Sequence, residues 1–414
     1  MNFLAKYKKI FLIIGFLAIV IFLGYFIYKL FFKQTAVIVP PVTEPTTTQG
    51  ELPGSGLGGQ QVSTSTSPGG IPTSPTQPQI SPTTVSPTAQ GGITKVTSLN
   101  SGPTSNAILS SDGQDVQYYN KTDGKFYKIN DQGEAIPMSD KIFHNVDNVT
   151  WAPNTNKAVL EYPDGSNIVY DFNTERQVTL PKHWEDFNFS SDSNRIVSKS
   201  IGVDPNNRWL VISDSDGSKA QALEFIGKNA DKVISSWSPN NQSVAMYTKG
   251  VDFDRQELLF VGLNGENFKS TTVEGRGLET QWSDKGDKLL YSAYNSTSDL
   301  KPKLWVVNAQ GDSIGTGRTD LEINTWANKC TFVSNQELYC AVPDNLERGA
   351  GMFPEMADKT QDSLYHINLK TGLKQLVAVP DGKYNISNLV VSADQKNLFF
   401  TDKKTTEIYK INLK

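Results

Sequence analysis

The chain has 414 residues, 10% of them aromatic, with 32 glycines and 21 prolines. This length is sufficient for one or two domains with substantial cores. Acidic residues outnumber basic residues by 43 to 39, and six lysines but only two acids precede residue 96. The remainder is therefore more acidic than the whole, which argues against a nucleic-acid partner. With only two cysteines, the chain has neither a disulfide framework nor a zinc site of four cysteines.

A long apolar run follows the short segment 1–9. From Ile10 to Phe32 it reads IFLIIGFLAIVIFLGYFIYKLFF and is interrupted only by Lys29. A helix of this length crosses the hydrocarbon core of a bilayer. We predict a transmembrane helix over 10–32, an uncleaved signal anchor, with residues 1–9 in the cytoplasm because the lysine excess lies on that side. A cleaved secretory signal is the alternative, and either interpretation exports the rest of the chain.

Residues 33–92 consist mainly of Thr, Ser, Pro, Gly and Gln, as in STSTSPGGIPTSPTQPQISPTT. Such a segment has too little apolar surface to offset the entropy lost on ordering. The composition predicts a disordered stalk between the membrane and a folded domain. The alternative is a proline-rich ligand for a partner domain.

One pattern recurs seven times from residue 93 to residue 414. It consists of a short strand, a polar turn, a second strand, a variable loop, a third strand, another turn and a final short strand. Examples of the first turn and second strand are TWAPNTNKAVLEY (150–162), SWSPNNQSVAMYT (236–248) and QWSDKGDKLLYSA (281–293). A period of roughly 40 to 50 residues with four strands is typical of a propeller blade. We predict an all-β fold, a β-propeller of seven four-stranded blades, with six blades as the alternative.

The turn at the start of each repeat carries a further similarity. Trp151-Ala152-Pro153-Asn154, Trp237-Ser238-Pro239-Asn240 and Trp282-Ser283-Asp284 resemble the W-S-P-D-G turn of the TolB-type, WD-repeat-like propellers. The resemblance covers residues 93–414 and implies the fold. It implies no particular activity, since that superfamily hosts unrelated functions.

The seventh repeat lacks a fourth strand, whereas the chain just after the stalk reads ITKVTSL, similar to the fourth strands of other repeats. We therefore expect Ile93–Leu99 to complete the last blade beside Ile408–Leu413, which joins the two ends of the domain and removes exposed edges.

Cys330 and Cys340 flank a predicted hairpin whose turn lies near Asn335. Directly opposed residues of an antiparallel pair come within disulfide range. In an exported domain this spacing favours a disulfide over two buried thiols.

The sequence contains no convincing catalytic set, metal cluster or cofactor motif, so we expect no cofactor, and enzymatic activity is left open. Gly311-Asp312-Ser313-Ile314-Gly315 matches G-x-S-x-G but falls in a turn that leads to a strand rather than a helix. The three histidines are widely separated.

The loops that join second to third strands are long in repeats three to six, above all PDNLERGAGMFPEMADKTQD at 343–362. Recognition residues tend to lie on such loops. An apolar tip with charged flanks suits a protein or peptide partner, although Phe353 could instead fold back onto its own blade. The candidate ligand-binding residues on this face are Trp184, Asp252, Asp254, Arg276, Arg348, Met352 and Phe353.

These features predict a single-pass membrane protein with an extracytoplasmic propeller that serves as a binding or scaffolding module of the cell envelope. The expected partner is a protein or peptide of the envelope, with the membrane contacted through the N-terminal helix and no nucleic acid bound. The alternative is an envelope hydrolase of glycan or peptide in which Asp252 and Asp254 act as acid and base.

Overall fold

The computed structural model describes residues 16–17, 19–23, 25, 84–266 and 268–414. The chain divides into two units, 1–77 and 78–414. In the first unit the described residues are helical and exposed. Within the described residues, no helix combines the length and apolar character needed to span a bilayer. Most of the predicted transmembrane helix, and residues 33–83 of the predicted stalk, lie outside the described residues.

The second unit is a seven-bladed β-propeller, which confirms the predicted fold class and blade number. Blades 1 to 5 are sheets of four antiparallel strands whose order in the sheet follows the chain, whereas blade 6 has a fifth strand and blade 7 takes its fourth strand from the N-terminal segment. The first strands of several successive blades contact one another around the central axis. Loops between second and third strands therefore share one face of the ring with loops between blades. We call this the upper face.

The strands of blades 1 to 4, from the inner to the outer edge, are β3 (Thr104–Leu109), β4 (Val116–Asn120), β5 (Lys125–Ile129) and β6 (Ala135–Pro137); β7 (Asn148–Trp151), β8 (Lys157–Glu161), β9 (Asn167–Asp171) and β10 (Arg176–Leu180); β11 (Trp184–Phe189), β12 (Arg195–Ile201), β13 (Arg208–Asp214) and β14 (Gln221–Phe225); β15 (Val233–Ser235), β16 (Ser243–Gly250), β17 (Gln256–Gly262) and β18 (Thr271–Val273).

The strands of blades 5 to 7 are β19 (Arg276–Trp282), β20 (Lys288–Tyr294), β21 (Lys303–Asn308) and β22 (Thr319–Asp320); β23 (Cys330–Ser334), β24 (Glu337–Pro343), β25 (Asp362–Asn368) and β26 (Lys374–Pro380), with β1 (Ile93–Thr94) as a fifth strand; β27 (Ile386–Val391), β28 (Asn397–Asp402), β29 (Ile408–Asn412) and β2 (Thr97–Ser98). Short 3-10 helices in the described chain are Pro205–Asn207, Gly227–Lys232, Ser296–Ser298, Gly311–Ser313, Ala327–Lys329 and Pro354–Ala357.

The core lies between blades, because each second strand is covered on both sides by neighbouring sheets. In β8 the three central residues are buried, although their side chains alternate between the two faces. The tryptophans of the turn motif join this core. Trp151 donates from Nε1 to the carbonyl oxygen of Asn106 in blade 1 at 2.7 Å, and Trp282 donates to Ser236 Oγ at 2.9 Å. Trp151 and Trp282 therefore pack in the core and also bond to the preceding blade, whereas Trp237 donates to Asn241 Oδ1 in its own turn.

The turns between first and second strands are closed from within and also join one another around the lower face. Ser190 Oγ donates to Asp192 Oδ1 at 2.5 Å and accepts from the Arg195 amide at 3.0 Å. Adjacent turns are bridged by Ser111 N to Thr155 Oγ1, Asn154 N to Ser193 Oγ, Asn241 Nδ2 to Ser191 Oγ, Asn240 Nδ2 to Gly286 O, Asn335 Nδ2 to Asp287 Oδ2 and Ala393 N to Gly113 O. The polar turn motif thus stabilises both the hairpin and the seam between blades.

The N-terminal segment of the propeller contacts two blades. Thr97–Ser98 pairs antiparallel with β29, and the Leu99 amide donates to the Ile408 carbonyl at 2.9 Å. Ile93–Thr94, expected on the same blade, instead pairs parallel with β26 and extends blade 6. The outer edge of β26 is open to this pairing, and the Asp381 side chain accepts from the Val96 amide as the chain crosses between blades.

Ordered contacts also begin before the expected stalk boundary at residue 92. The Ser86 amide donates to Ile93, the Ala89 amide to Asn412 and the Gly91 amide to Val377. Residues 86–92 therefore belong to the propeller, since their backbone groups bond to it despite a stalk-like composition.

Cys330 and Cys340 form the predicted disulfide. They are directly opposed in the antiparallel pair β23–β24, so the bond links the two innermost strands of blade 6. Both residues are buried.

Candidate functional site

The loop between β24 and β25, residues 344–361, rises from blade 6 on the upper face. We call it the blade 6 loop. Its backbone docks on blade 5, since the amides of Gly349 and Gly351 donate to Asp299 and Leu300 at 2.9 and 2.8 Å. A Cβ atom on Gly351 would lie 2.6 Å from Tyr294 Cβ and 2.7 Å from the Leu300 oxygen, so this approach requires glycine.

The blade 6 loop also has a small core of its own. Leu346, Ala350 and Ala357 are buried around Trp326, which precedes the inner strand of the same blade. Two other apolar side chains of the loop lie outside this core: Phe353 is 51% exposed and Met356 is 37% exposed. The loop is thus a packed element with an apolar tip.

Beneath this loop, where blades 5, 6 and 7 meet, lies a pocket of about 160 Å³. Its walls come from an inner strand, the loops between blades, the blade 6 loop and a blade 7 turn. The lining residues are Glu279, Trp326, Asn328, Lys329, Pro354, Ala357, Asp358, Asn385, Ser387 and Lys403. The pocket therefore combines an apolar wall with several charged groups on the upper face.

Lys329 forms the buried polar centre of this region. Its Nζ donates to Asp362 Oδ2 at 2.7 Å and to Asn385 Oδ1 at 2.8 Å, while the Ile386 amide donates to the same Asp362 oxygen at 2.5 Å. Burial raises the pKa of Asp362 and lowers the pKa of Lys329, and their mutual attraction opposes both shifts. This network joins blade 6 to blade 7.

Glu279 contributes a partly buried carboxyl group to the pocket. It follows an irregularity in β19, where Gly277 has φ of 64° and the register with β20 shifts. Glu279 accepts a hydrogen bond from the Asn328 backbone, whereas its Oε2 has no hydrogen-bond partner among the described residues. Burial raises the pKa of Glu279, and Lys403 and Lys329 oppose that shift.

At the rim of the pocket, Lys403 Nζ contacts Asp358 Oδ1 at 2.5 Å, with each side chain about half exposed. This pair joins the blade 7 turn to the blade 6 loop. Exposed ion pairs add little stability, so its main effect is to place charge at the entrance.

Three of the residues that the sequence singled out meet at the seam between blades 4 and 5, away from the pocket. Asp252 pairs with Arg255 at 2.6 Å, which lowers the pKa of Asp252. Asp254 accepts from the amide and the hydroxyl of Ser296 at 2.7 and 2.5 Å. Arg276 donates to the Asp252 carbonyl oxygen. These side chains hold adjacent loops together.

The other sequence-selected residues divide between the core and the blade 6 loop. Trp184 is 5% exposed and packs in the core of blades 2 and 3. Arg348, Met352 and Phe353 lie on the blade 6 loop, where Arg348 and Phe353 are exposed and Met352 is partly buried. None of these four lines the pocket among its described residues.

Sequence reasoning missed the charged residues of the pocket. Glu279 had one usable signal, since it is a carboxyl group three residues before Trp282 of the turn motif. Lys329 had none, because it lies next to Cys330 in a connection without a motif. The charged pocket residues come close to one another only because the closed ring brings their separate blades together.

Further apolar side chains are exposed at the tips of upper-face loops on other blades. Val203 lies on blade 3, and Val251 and Phe253 lie on blade 4. With Phe353 and Met356 they give the upper face several apolar tips on one sector, a composition suited to contact with another macromolecule.

No protein-family model matches the sequence, and no curated protein matches it significantly. Among solved structures, an oligogalacturonate lyase in complex with manganese has a TM-score of 0.53 and 14% identity, over 77% of this chain and 93% of that chain. The β-propeller domain of Cps50 (Swd1) from Myceliophteria thermophila has a TM-score of 0.51 and 11% identity, over 77% of this chain and all of the other. At these identities the similarity shows the fold alone. It confirms at that level the predicted resemblance to β-propellers.

Proposed function

We propose that this chain is a membrane-tethered binding module whose propeller captures a protein or peptide of the cell envelope on its upper face. The supporting observation is the blade 6 loop, which is fixed by blade 5 and by its own core while Phe353 and Met356 remain exposed. A surface already ordered before binding loses little conformational entropy on association. Exposed apolar side chains beside a polar pocket are the usual anchors of an interface.

The tether in this proposal is the N-terminal part of the chain. The apolar run 10–32 supports a membrane anchor, and the composition of 33–83 supports a flexible connection with the N-terminus in the cytoplasm. A tether confines the propeller near the membrane and raises its effective concentration toward envelope partners.

The alternative, an envelope hydrolase that acts through Asp252 and Asp254, has less support. Both carboxylates are engaged, Asp252 by Arg255 and Asp254 by Ser296, and the ion pair keeps Asp252 ionised. A general acid needs a raised pKa instead.

The binding function can be tested by proximity labelling and affinity capture with the full-length, epitope-tagged chain. Phe353→Ser combined with Met356→Ser should reduce partner recovery about tenfold or more, as expected when interface anchors are removed. The matched control is Leu373→Ser, which removes a 62% exposed apolar side chain from the lower face of the same blade. Equal recovery from the double variant and the wild type would contradict the proposal.

A further inference from the structure

We propose that the pocket between blades 5, 6 and 7 binds a cationic side chain of the partner, a lysine ammonium or an arginine guanidinium, with Glu279 as its counter-ion. The inference rests on the proposed function, because it names the group that the upper face recognises. It adds a binding site formed by residues from three blades.

The first argument is the charge balance in the pocket. Each of its two lysines already has a carboxylate, since Lys329 lies 2.7 Å from Asp362 and Lys403 lies 2.5 Å from Asp358. Glu279 has no such partner among the described residues, and its Oε2 accepts no hydrogen bond there. With Asp362, which does not itself line the pocket, the region holds three carboxyl groups and two lysines, and Glu279 is the carboxyl group left without an ion pair.

The second argument is the cost of leaving that group unsatisfied. A buried polar atom without a partner loses its hydration without compensation. Oε2 is itself shielded from solvent, so the Glu279 side chain must turn toward the pocket to reach a ligand. A ligand that then supplies a charged donor removes the penalty and forms a charge-assisted hydrogen bond. An anionic ligand would instead be repelled by the same carboxylate.

The third argument is the shape and composition of the pocket. A volume of about 160 Å³ is comparable to an engineered cavity of about 150 Å³ that holds benzene, so it suits a single side chain. Trp326, Pro354 and Ala357 supply apolar wall, against which the methylene stem of a lysine can pack while its charged end reaches Glu279. The exposed Phe353 beside Pro354 is available to contact the flanking residues of the same segment.

Burial, which raises the pKa of Glu279, is consistent with this role. A bound cation favours the ionised carboxylate and lowers that pKa again. The charged groups that act on Glu279 are Lys403 and Lys329, which both favour its ionised form. Each lysine also has a carboxylate partner, Asp358 for Lys403 and Asp362 for Lys329.

The test uses three small ligands with the full-length chain, observed by saturation-transfer NMR. They are the Nα-acetyl N-methylamides of lysine, norleucine and glutamine, which present a cation, an uncharged chain of similar length and a neutral hydrogen-bond donor. We expect the lysine derivative to bind at least tenfold more tightly than the other two. Glu279→Gln should remove this preference, whereas Glu185→Gln, which removes an exposed carboxylate from the inner strand of blade 3, should retain it.

Equal binding of the three ligands by the wild-type chain would overturn the inference, and this comparison needs no variant that must fold. A lysine preference that survives in Glu279→Gln would overturn it as well. Failure of the pocket inference can be distinguished from failure of the proposed function. If the serine variants of the blade 6 loop lose partners while the lysine preference is absent, only the pocket inference fails. If the lysine preference depends on Glu279 while those variants retain every partner, only the proposed partner-binding role fails.

Discussion

At the scale of single residues, one position in the turn between first and second strands is left-handed in most blades. The residues there, with their φ angles, are Gly113 (72°), Thr155 (55°), Ser193 (62°), Asn241 (59°), Gly286 (66°) and Gln395 (55°). Residues other than glycine are strained in this conformation. Thr155, Ser193 and Asn241 each bond to a neighbouring turn, which compensates for the strain. Gln395 makes no such side-chain bond among the described residues.

We therefore predict that Gln395→Gly stabilises the propeller by about 0.5–1 kcal/mol, because relief of the left-handed strain outweighs the added flexibility of the unfolded chain. Thr155→Gly is the matched control and should not stabilise, since it also removes the bond from the Ser111 amide. Denaturant unfolding of both variants measures the difference. Equal effects of the two substitutions would show that the bonds between turns contribute nothing.

Residue patterns could predict the turn motif but not the pocket. Serine, proline, aspartate and glycine in the turns act locally, so their roles are readable from neighbours in the sequence. Glu279, Lys329 and Lys403 belong to three blades and approach one another only after the ring closes. No local sequence pattern at any of the three positions indicates a pocket. The acids that the sequence favoured as site residues, Asp252 and Asp254, instead hold loops in place.

At the scale of elements, blade 6 differs most from the others. It has a disulfide between its two inner strands, a fifth strand at its outer edge and the longest loop on the upper face. The cysteine spacing and the loop length were visible in the sequence. The contact of Leu346 and Ala350 with Trp326 could not be predicted, because Trp326 lies before the blade's first strand and nothing local indicates that the loop folds back over it.

We predict that Cys330→Ala combined with Cys340→Ala lowers the free energy of unfolding by about 2–3 kcal/mol, the amount expected when a short loop is no longer closed in the unfolded chain. The cysteines are 10 residues apart. Unfolding of the wild type in a reducing buffer is the control and should approach the stability of the double variant. If reduction left the wild type unchanged while the alanine variant was destabilised, lost packing rather than the bond would be responsible.

At the scale of the whole molecule, the two ends of the propeller are joined through blade 7. β2 supplies the strand that the last repeat lacks, and Leu99 is buried among residues of blades 1 and 7. The blade number could be predicted from the repeat period, which is a property of the whole sequence. The parallel pairing of β1 with blade 6 could not be predicted, because two residues with ordinary strand composition do not specify a partner.

We predict that replacing residues 93–99 with a Gly-Ser linker of equal length lowers the melting temperature by roughly 5–10 °C. The replacement removes the fourth strand of blade 7 and the buried Leu99, a loss of about 3–5 kcal/mol in a domain of this size. A linker in place of residues 78–84, which precede the ordered contacts, is the control and should leave the melt unchanged. An unaltered melt for the first variant would show that the ring closes without β2.

The double attachment of residues 86–99 has a mechanical consequence. A force that pulls on the chain ahead of Ser86 first meets its bond to Ile93 and then the bonds of Ala89 to blade 7 and Gly91 to blade 6. It next meets the pairing of β1 with blade 6 and only then the pairing of β2 with blade 7. The load is divided between two sheets before any strand of blade 1 is strained. A domain held at its N-terminal side under tension can therefore lose one attachment without opening its ring.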